Sequence, residues 1–190
     1  MQLLLRTSNA KELIEAISKF SGLSGEQTID AVVAHEDLRA SLDGNLDDEV
    51  WQKALPAGQM FQIFPGDKVP ASEATEFRVL YDKSNLYVGV WCYHKKPEEI
   101  TANAGNEADA LDDDWVAVVL GTFDDKRNCY AFLISPNSLR IELLSSDNGH
   151  NQNLNWETVW TASCAIHDWG WGAEVAIPFK SCLLYTSDAA

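Results

Sequence analysis

From residue 75 to 179, short apolar and aromatic runs alternate with polar stretches rich in Asp, Asn, Lys, Ser and Gly. The runs are "TEFRVLYD" (75–82), "NLYVGVWCYH" (85–94), "DWVAVVLGTF" (114–123), "NCYAFLIS" (128–135), "LRIELLS" (139–145), "VWTASCAIH" (159–167) and "WGAEVAIPF" (171–179). Their β-branched and aromatic content and even spacing predict an all-β, antiparallel sandwich. Within the first run Phe77, Val79 and Tyr81 share one face and Glu76 and Arg78 the other, the period of two that a strand imposes. "DKSN" and "DDKRN" supply hairpin turns. The polar stretch 95–114 is a surface loop, the kind of segment where sites tend to lie.

Upstream the period changes. Asn9 followed by Glu12 forms a capping box, and Leu13, Ile14 and Ile17 make a helical stripe, which predicts a short helix over 9–20. Residues 1–28 are therefore expected to be an N-terminal helix and linker, and 29–180 the sandwich. "SCLLYTSDAA" (181–190) has neither alternation nor a motif. It is expected to be an unmatched tail on a sandwich truncated at its C-terminal end.

Composition narrows the function classes. The 190 residues are 46% hydrophobic with seven Trp, enough for one domain with a substantial core. A net charge of −15 opposes binding to nucleic acid or anionic membranes. No apolar run approaches the ~20 residues that span a bilayer as a helix, and the three leucines near the start are too short for a secretory signal core. Cys92, Cys129, Cys164 and Cys182 lack C-x-x-C spacing, which favours buried free thiols over a zinc site.

"SLDGNLDDEVW" (41–51) invites a calcium reading. Asp43, Asn45 and Asp47 fit positions 1, 3 and 5 of an EF-hand loop, but position 6 is Asp48 and position 12 is Ala54, so the required glycine and bidentate Glu are both missing. The stretch reads instead as a tight turn leading to a helical turn at Trp51. No cofactor is expected, and calcium is not supported by the spacing.

Together "LDGNLDDEVW", the 75–100 hairpin, "DDDWVAVVLGTFDDKRNCYAFLISPNS" and "WETVWTASCAIHDWGWGAEVAIPFKS" resemble, in order, the family 9 carbohydrate-binding modules, in the branch N-terminal to outer-membrane-associated bacterial proteins. The resemblance covers about residues 40–181. It implies a noncatalytic accessory module linked to polysaccharide binding or catabolism, with a polysaccharide or oligosaccharide as partner, an extracytoplasmic location and a C-terminal β-barrel domain missing from this chain. The alternative is a structural docking domain that binds no sugar. The resemblance also makes Trp51 the buried anchor of the entry motif.

Several positions depart from the sugar-binding members. Leu111 stands where a stacking tryptophan would be, His94 replaces an Asp, Ala117 a Glu and Leu133 an Arg. The remaining candidates for contacting sugar cluster at the loop end: Trp91, Tyr93, His94, Asp112, Asp113, Asp114 and Trp115. Trp91 and Tyr93 lie two apart and share a face, which is either core or platform. Asp112–Asp114 read as a solvated strand entry, a bound cation being the alternative. Trp171 reads as core. Catalysis would need paired carboxylates flanking a groove, and nothing in the spacing of Glu142, Glu157 and Glu174 singles out such a pair.

Overall fold

The computed structural model describes residues 3–7, 32–34, 38, 41–58, 60–62, 69–103, 112–122, 125 and 127–182. Every apolar run named above forms a strand: β5 (Thr75–Tyr81), β6 (Asn85–Tyr93), β7 (Trp115–Leu120), β8 (Cys129–Ile134), β9 (Arg140–Ser146), β11 (Thr161–His167) and β12 (Gly170–Pro178). The sequence pattern did not announce β1 (Leu3–Thr7), β2 (Val32–Val33), the ribbon of β3 (Phe61–Gln62) with β4 (Val69–Pro70), or β10 (Asn151–Asn153). One five-stranded sheet runs β1-β7-β8-β9-β10 and the other β11-β12-β6-β5-β2. Pairing is antiparallel except where β2 lies parallel to β5.

One boundary moves. Leu3–Thr7, expected in the helix and linker, pairs along β7 from Leu3↔Val119 to Thr7↔Trp115, because its apolar run completes a ladder that β7 would otherwise present as an open edge. The helix expected over 9–20 and the tail after Cys182 lie outside the described residues.

The space between the sheets is filled by Val116, Val118, Tyr130, Phe132 and Ile134 from one side and Val88, Val90, Trp171, Val175 and Ile177 from the other. In β7 and β8 the opposite face is buried too: Ala117, Val119, Ala131 and Leu133 are fully inaccessible. "WVAVVL" and "CYAFLI" are continuous apolar runs rather than alternating ones, as strands covered on both faces require.

A second apolar cluster sits on the outer face of the other sheet. Leu80, Tyr87 and Ala176 pack there against Ala34, Leu38, Leu46, Val50, Trp51 and Ala54, so residues of the 34–54 stretch form a strap across that face. Tyr87 Oη accepts the Leu38 N–H at 3.2 Å, and Ala34 N–H donates to the Tyr81 carbonyl. Leu46 plugs a two-glycine socket. A Cβ on Gly89 or on Gly172 would come within 2.9 Å of a Leu46 methyl. Leu46 itself adopts φ 60°, a conformation costing on the order of 1–3 kcal/mol that burial in the socket offsets. At the free edge of β11 the Cys164 N–H is taken by Ser138 Oγ at 2.9 Å, which blunts the edge against pairing.

Candidate functional site

The 41–51 stretch is a clamped entry turn. Glu174, almost fully buried on β12, accepts the N–H groups of Asp43 and Gly44 on Oε2, both at 2.8 Å. Its Oε1 accepts the Trp51 indole N–H at 2.8 Å. Asp43 turns its own carboxylate onto the N–H and side-chain amide of Asn45, an Asx turn. Gly44, at φ 87°, lies so close to β11 that a Cβ would sit 2.4 Å from Ala165 N. His167 Nε2 lies 3.2 Å from the Gly44 carbonyl. Trp51 is fully buried, but in the strap cluster rather than between the sheets. Burial pushes the Glu174 carboxyl above its ordinary range, against the pull of its three hydrogen bonds.

That geometry also disposes of Glu174 as a catalytic acid, since both oxygens are occupied by structural donors. Glu142, in the other sheet, accepts the Trp160 indole N–H at 3.0 Å and the Thr158 N–H at 3.4 Å. Glu157 is exposed. The carboxylates do not converge on a common groove as glycoside hydrolysis requires.

The acidic triplet is not the solvated entry expected of it. Asp112 is exposed, but Asp113 and Asp114 are buried. Asp113 Oδ1 accepts the backbone and side-chain N–H groups of Asn103 at 2.8 and 2.7 Å. Asp114 Oδ2 accepts the Thr101 N–H at 3.0 Å, and its N–H donates back to the Thr101 carbonyl. These two carboxylates tie down the end of the 95–103 segment, and a buried carboxylate needs such donors. Trp115 is 1% exposed and offers no face to a ligand.

The strand end holding Trp91, Tyr93 and His94 is different. Trp91 and Tyr93 do share a face, and it is the outer face, away from the inter-sheet core formed by Val88, Val90 and Cys92. Trp91 is half-buried and closed in: the Arg78 guanidinium lies 5.0 Å over its ring, and Trp51 meets it edge-on at 6.3 Å. Arg78 is held there by Glu76, at 2.8 Å, and by the Trp51 carbonyl at 2.9 Å.

Tyr93, two residues on, is 36% exposed. Its ring lies 5.4 Å from that of Trp169, tilted by 55°, and Trp169 stacks on His167 at 4.6 Å and 9°. Gly170 makes room for this. It pairs with both Tyr93 and His167, and at φ 141° a Cβ would lie 2.1 Å from the Cys92 carbonyl oxygen. His94 donates its N–H to the Trp169 carbonyl at 3.0 Å, fixing the hairpin tip to the end of β6. Trp169 and His167 were not among the sequence candidates. The available signal was an aromatic at the tip of a two-residue turn, "HDWG"; the half-buried Trp169 also packs against the strap cluster.

Among the described residues no group of three or more His, Cys, Asp or Glu is placed to hold a metal ion. All four cysteines are free thiols, and three are buried. Burial pushes the Cys129 and Cys164 thiols up and that of Cys182 to about 12, so at neutral pH these are packing groups rather than nucleophiles.

Ala117 and Leu133 turn out to be direct cross-strand partners and both are fully buried.

The likeness to solved structures agrees with this architecture. Two structures of a family 9 carbohydrate-binding module from Caldicellulosiruptor kristjanssonii, one in complex with cellotriose and one with glucose, superpose with a TM-score of 0.51 each. They share 16% and 15% identity, and the alignment covers 78% of this chain but 66% of theirs. No curated protein matches the chain. The family model described as "Carbohydrate family 9 binding domain-like" matches residues 42–190, from the entry turn through β12 and the tail, and the chain belongs to that family.

Proposed function

We propose that this domain is a noncatalytic carbohydrate-binding module, working outside the cytoplasm as an accessory to polysaccharide binding or breakdown. Family membership over residues 42–190 carries the reading. The solved neighbours hold cellotriose and glucose, which makes β-linked gluco-oligosaccharides the first ligands to try. The carboxylates favour binding over hydrolysis, since Glu174 and Glu142 are spent on structural donors. Titrating the protein with cellotriose and a panel of soluble glycans to millimolar concentration, followed by calorimetry, tests it. Saturable heat with any glycan supports the reading.

The fully buried Ala117–Leu133 pair favours a second reading. If sugar-binding members use charged groups at those positions, this chain has given them up, and the domain then serves as a docking module beside an outer-membrane β-barrel. Absence of heat with every glycan, in a sample that melts cooperatively, selects that reading.

A further inference from the structure

We infer that the saccharide site of this chain is an aromatic platform on the outer face of the β11-β12-β6 sheet, built from Tyr93, Trp169 and His167, and that it takes a pyranose ring of an oligosaccharide. The inference rests on the carbohydrate-binding reading above and places its site away from Leu111, Asp112–Asp114 and Trp115.

The strap decides which part of this sheet face is open. It covers the outer face from Leu80, Tyr87 and Ala176 up to Trp51 and the Gly44–Gly172 contact. The face continues past that contact for one more row, Tyr93–Gly170–His167, and there the Trp169 ring touches those of both Tyr93 and His167. Exposed apolar residues scattered singly carry no message, but a contiguous cluster does.

The rings are also held in place before any ligand arrives. Trp169 is stacked on His167, its backbone carbonyl is bonded to His94, and the His167 imidazole is in contact with the Gly44 carbonyl. A fixed aromatic surface adds contact area without an ordering cost. Pyranose rings present a C–H face to such a surface and hydroxyls at their rim, and Asp168, beside Trp169 in the turn, is exposed. Trp91 does not join the platform, because Arg78 and Trp51 close it.

The test is a tryptophan-fluorescence titration of the folded protein with cellotriose and cellohexaose, repeated on Tyr93→Ala, Tyr93→Phe, Trp169→Ala and Asp112→Asn, each checked by thermal melting. The platform requires at least tenfold weaker binding in Tyr93→Ala and near-wild-type binding in Tyr93→Phe and Asp112→Asn. Tyr93 is exposed, so its truncation keeps the test valid even where Trp169→Ala loosens the hairpin. Saturable wild-type binding unchanged in Tyr93→Ala overturns the platform while the carbohydrate-binding reading stands. No response of the wild type to either oligosaccharide, with no calorimetric signal from the wider glycan panel, overturns both.

Discussion

The Glu174 carboxylate on β12 and the Trp51 indole N–H meet at 2.8 Å, across 123 residues of chain, and this contact joins the entry strap to the sheet it covers. The indole brings a large apolar body into the strap cluster while its only polar atom is satisfied. Trp51→Ala removes that body and strands Glu174 Oε1. The expected loss is about 3–5 kcal/mol, the range for large core truncations, read as a lowered urea midpoint. Trp51→Phe keeps much of the volume and loses the hydrogen bond, so its loss should be nearer ~1–3 kcal/mol, the cost of an unpaired buried acceptor. Equal losses in the two variants would show that the ring's bulk contributes nothing beyond the hydrogen bond, and an unchanged midpoint in Trp51→Phe would show that the bond contributes nothing.

Glu174 should also leave a signature in the pH dependence of stability. Its carboxyl is raised in the folded state, burial being the largest cause and the Gly44, Trp51 and Asp43 donors opposing it. A group raised on folding binds its proton more tightly in the native state. Its contribution is therefore full below the ordinary glutamate value of 4.5 and is lost as pH rises through the folded value. The stability of the wild type relative to Glu174→Gln should accordingly fall as pH rises from 4 towards 7, whatever its sign at either end. Melting both proteins in parallel across that range checks it, and a difference that grows with pH would mean that the three donors outweigh burial.

Gly172 illustrates a residue chosen for what it lacks. A Cβ there would lie 2.3 Å from the Gly44 carbonyl oxygen and 2.9 Å from a Leu46 methyl. The first neighbour is backbone and cannot rotate away. Gly172→Ala should cost about 1–3 kcal/mol, the usual penalty of overpacking, and should lift the strap. Limited proteolysis ought then to cut within 41–51 under conditions where the wild type resists. Wild-type stability with unchanged cleavage would show that the turn has slack.

The strands were legible because period and composition agreed: alternation marked β5, and unbroken apolar runs marked β7 and β8. Trp51 was legible as a buried anchor through the resemblance of its entry motif to that of the family. Which surface it is buried against was not, because a single sequence does not say which face of a sheet a preceding segment crosses. Strand β1 escaped notice because three consecutive leucines have no period of two. The candidate site was half visible. Trp91 and Tyr93 were correctly placed on one face, yet only the structure shows Arg78 covering one ring and not the other. Asp113 and Asp114 looked solvated because a run of acids usually is. Their burial depends on the backbone N–H groups of residues 101 and 103, which carry no side-chain signal, and on the Asn103 side-chain amide, whose partner a single sequence does not name. Trp169 was passed over because hairpin tips are read for Gly, Asn and Asp rather than for aromatics.

The Ala117–Leu133 pair offers a direct experiment on the face that the family resemblance would make polar. The two residues oppose each other in register between β7 and β8 and neither has any exposed surface. Ala117→Glu alone should bury an unpaired carboxylate and cost about 3–5 kcal/mol, comparable to breaking a buried ion pair. Leu133→Arg alone should cost a similar amount. Directly opposed residues on adjacent strands bring their Cβ atoms to within about 4.5–5.5 Å, so the double variant can form a charge-assisted pair and should be more stable than the sum of the single losses implies. A double-mutant cycle from denaturant titrations measures that coupling. Additive losses would mean that the two side chains cannot reach each other in this packing, and that installing a charged pair here would need changes in the layer covering this face as well.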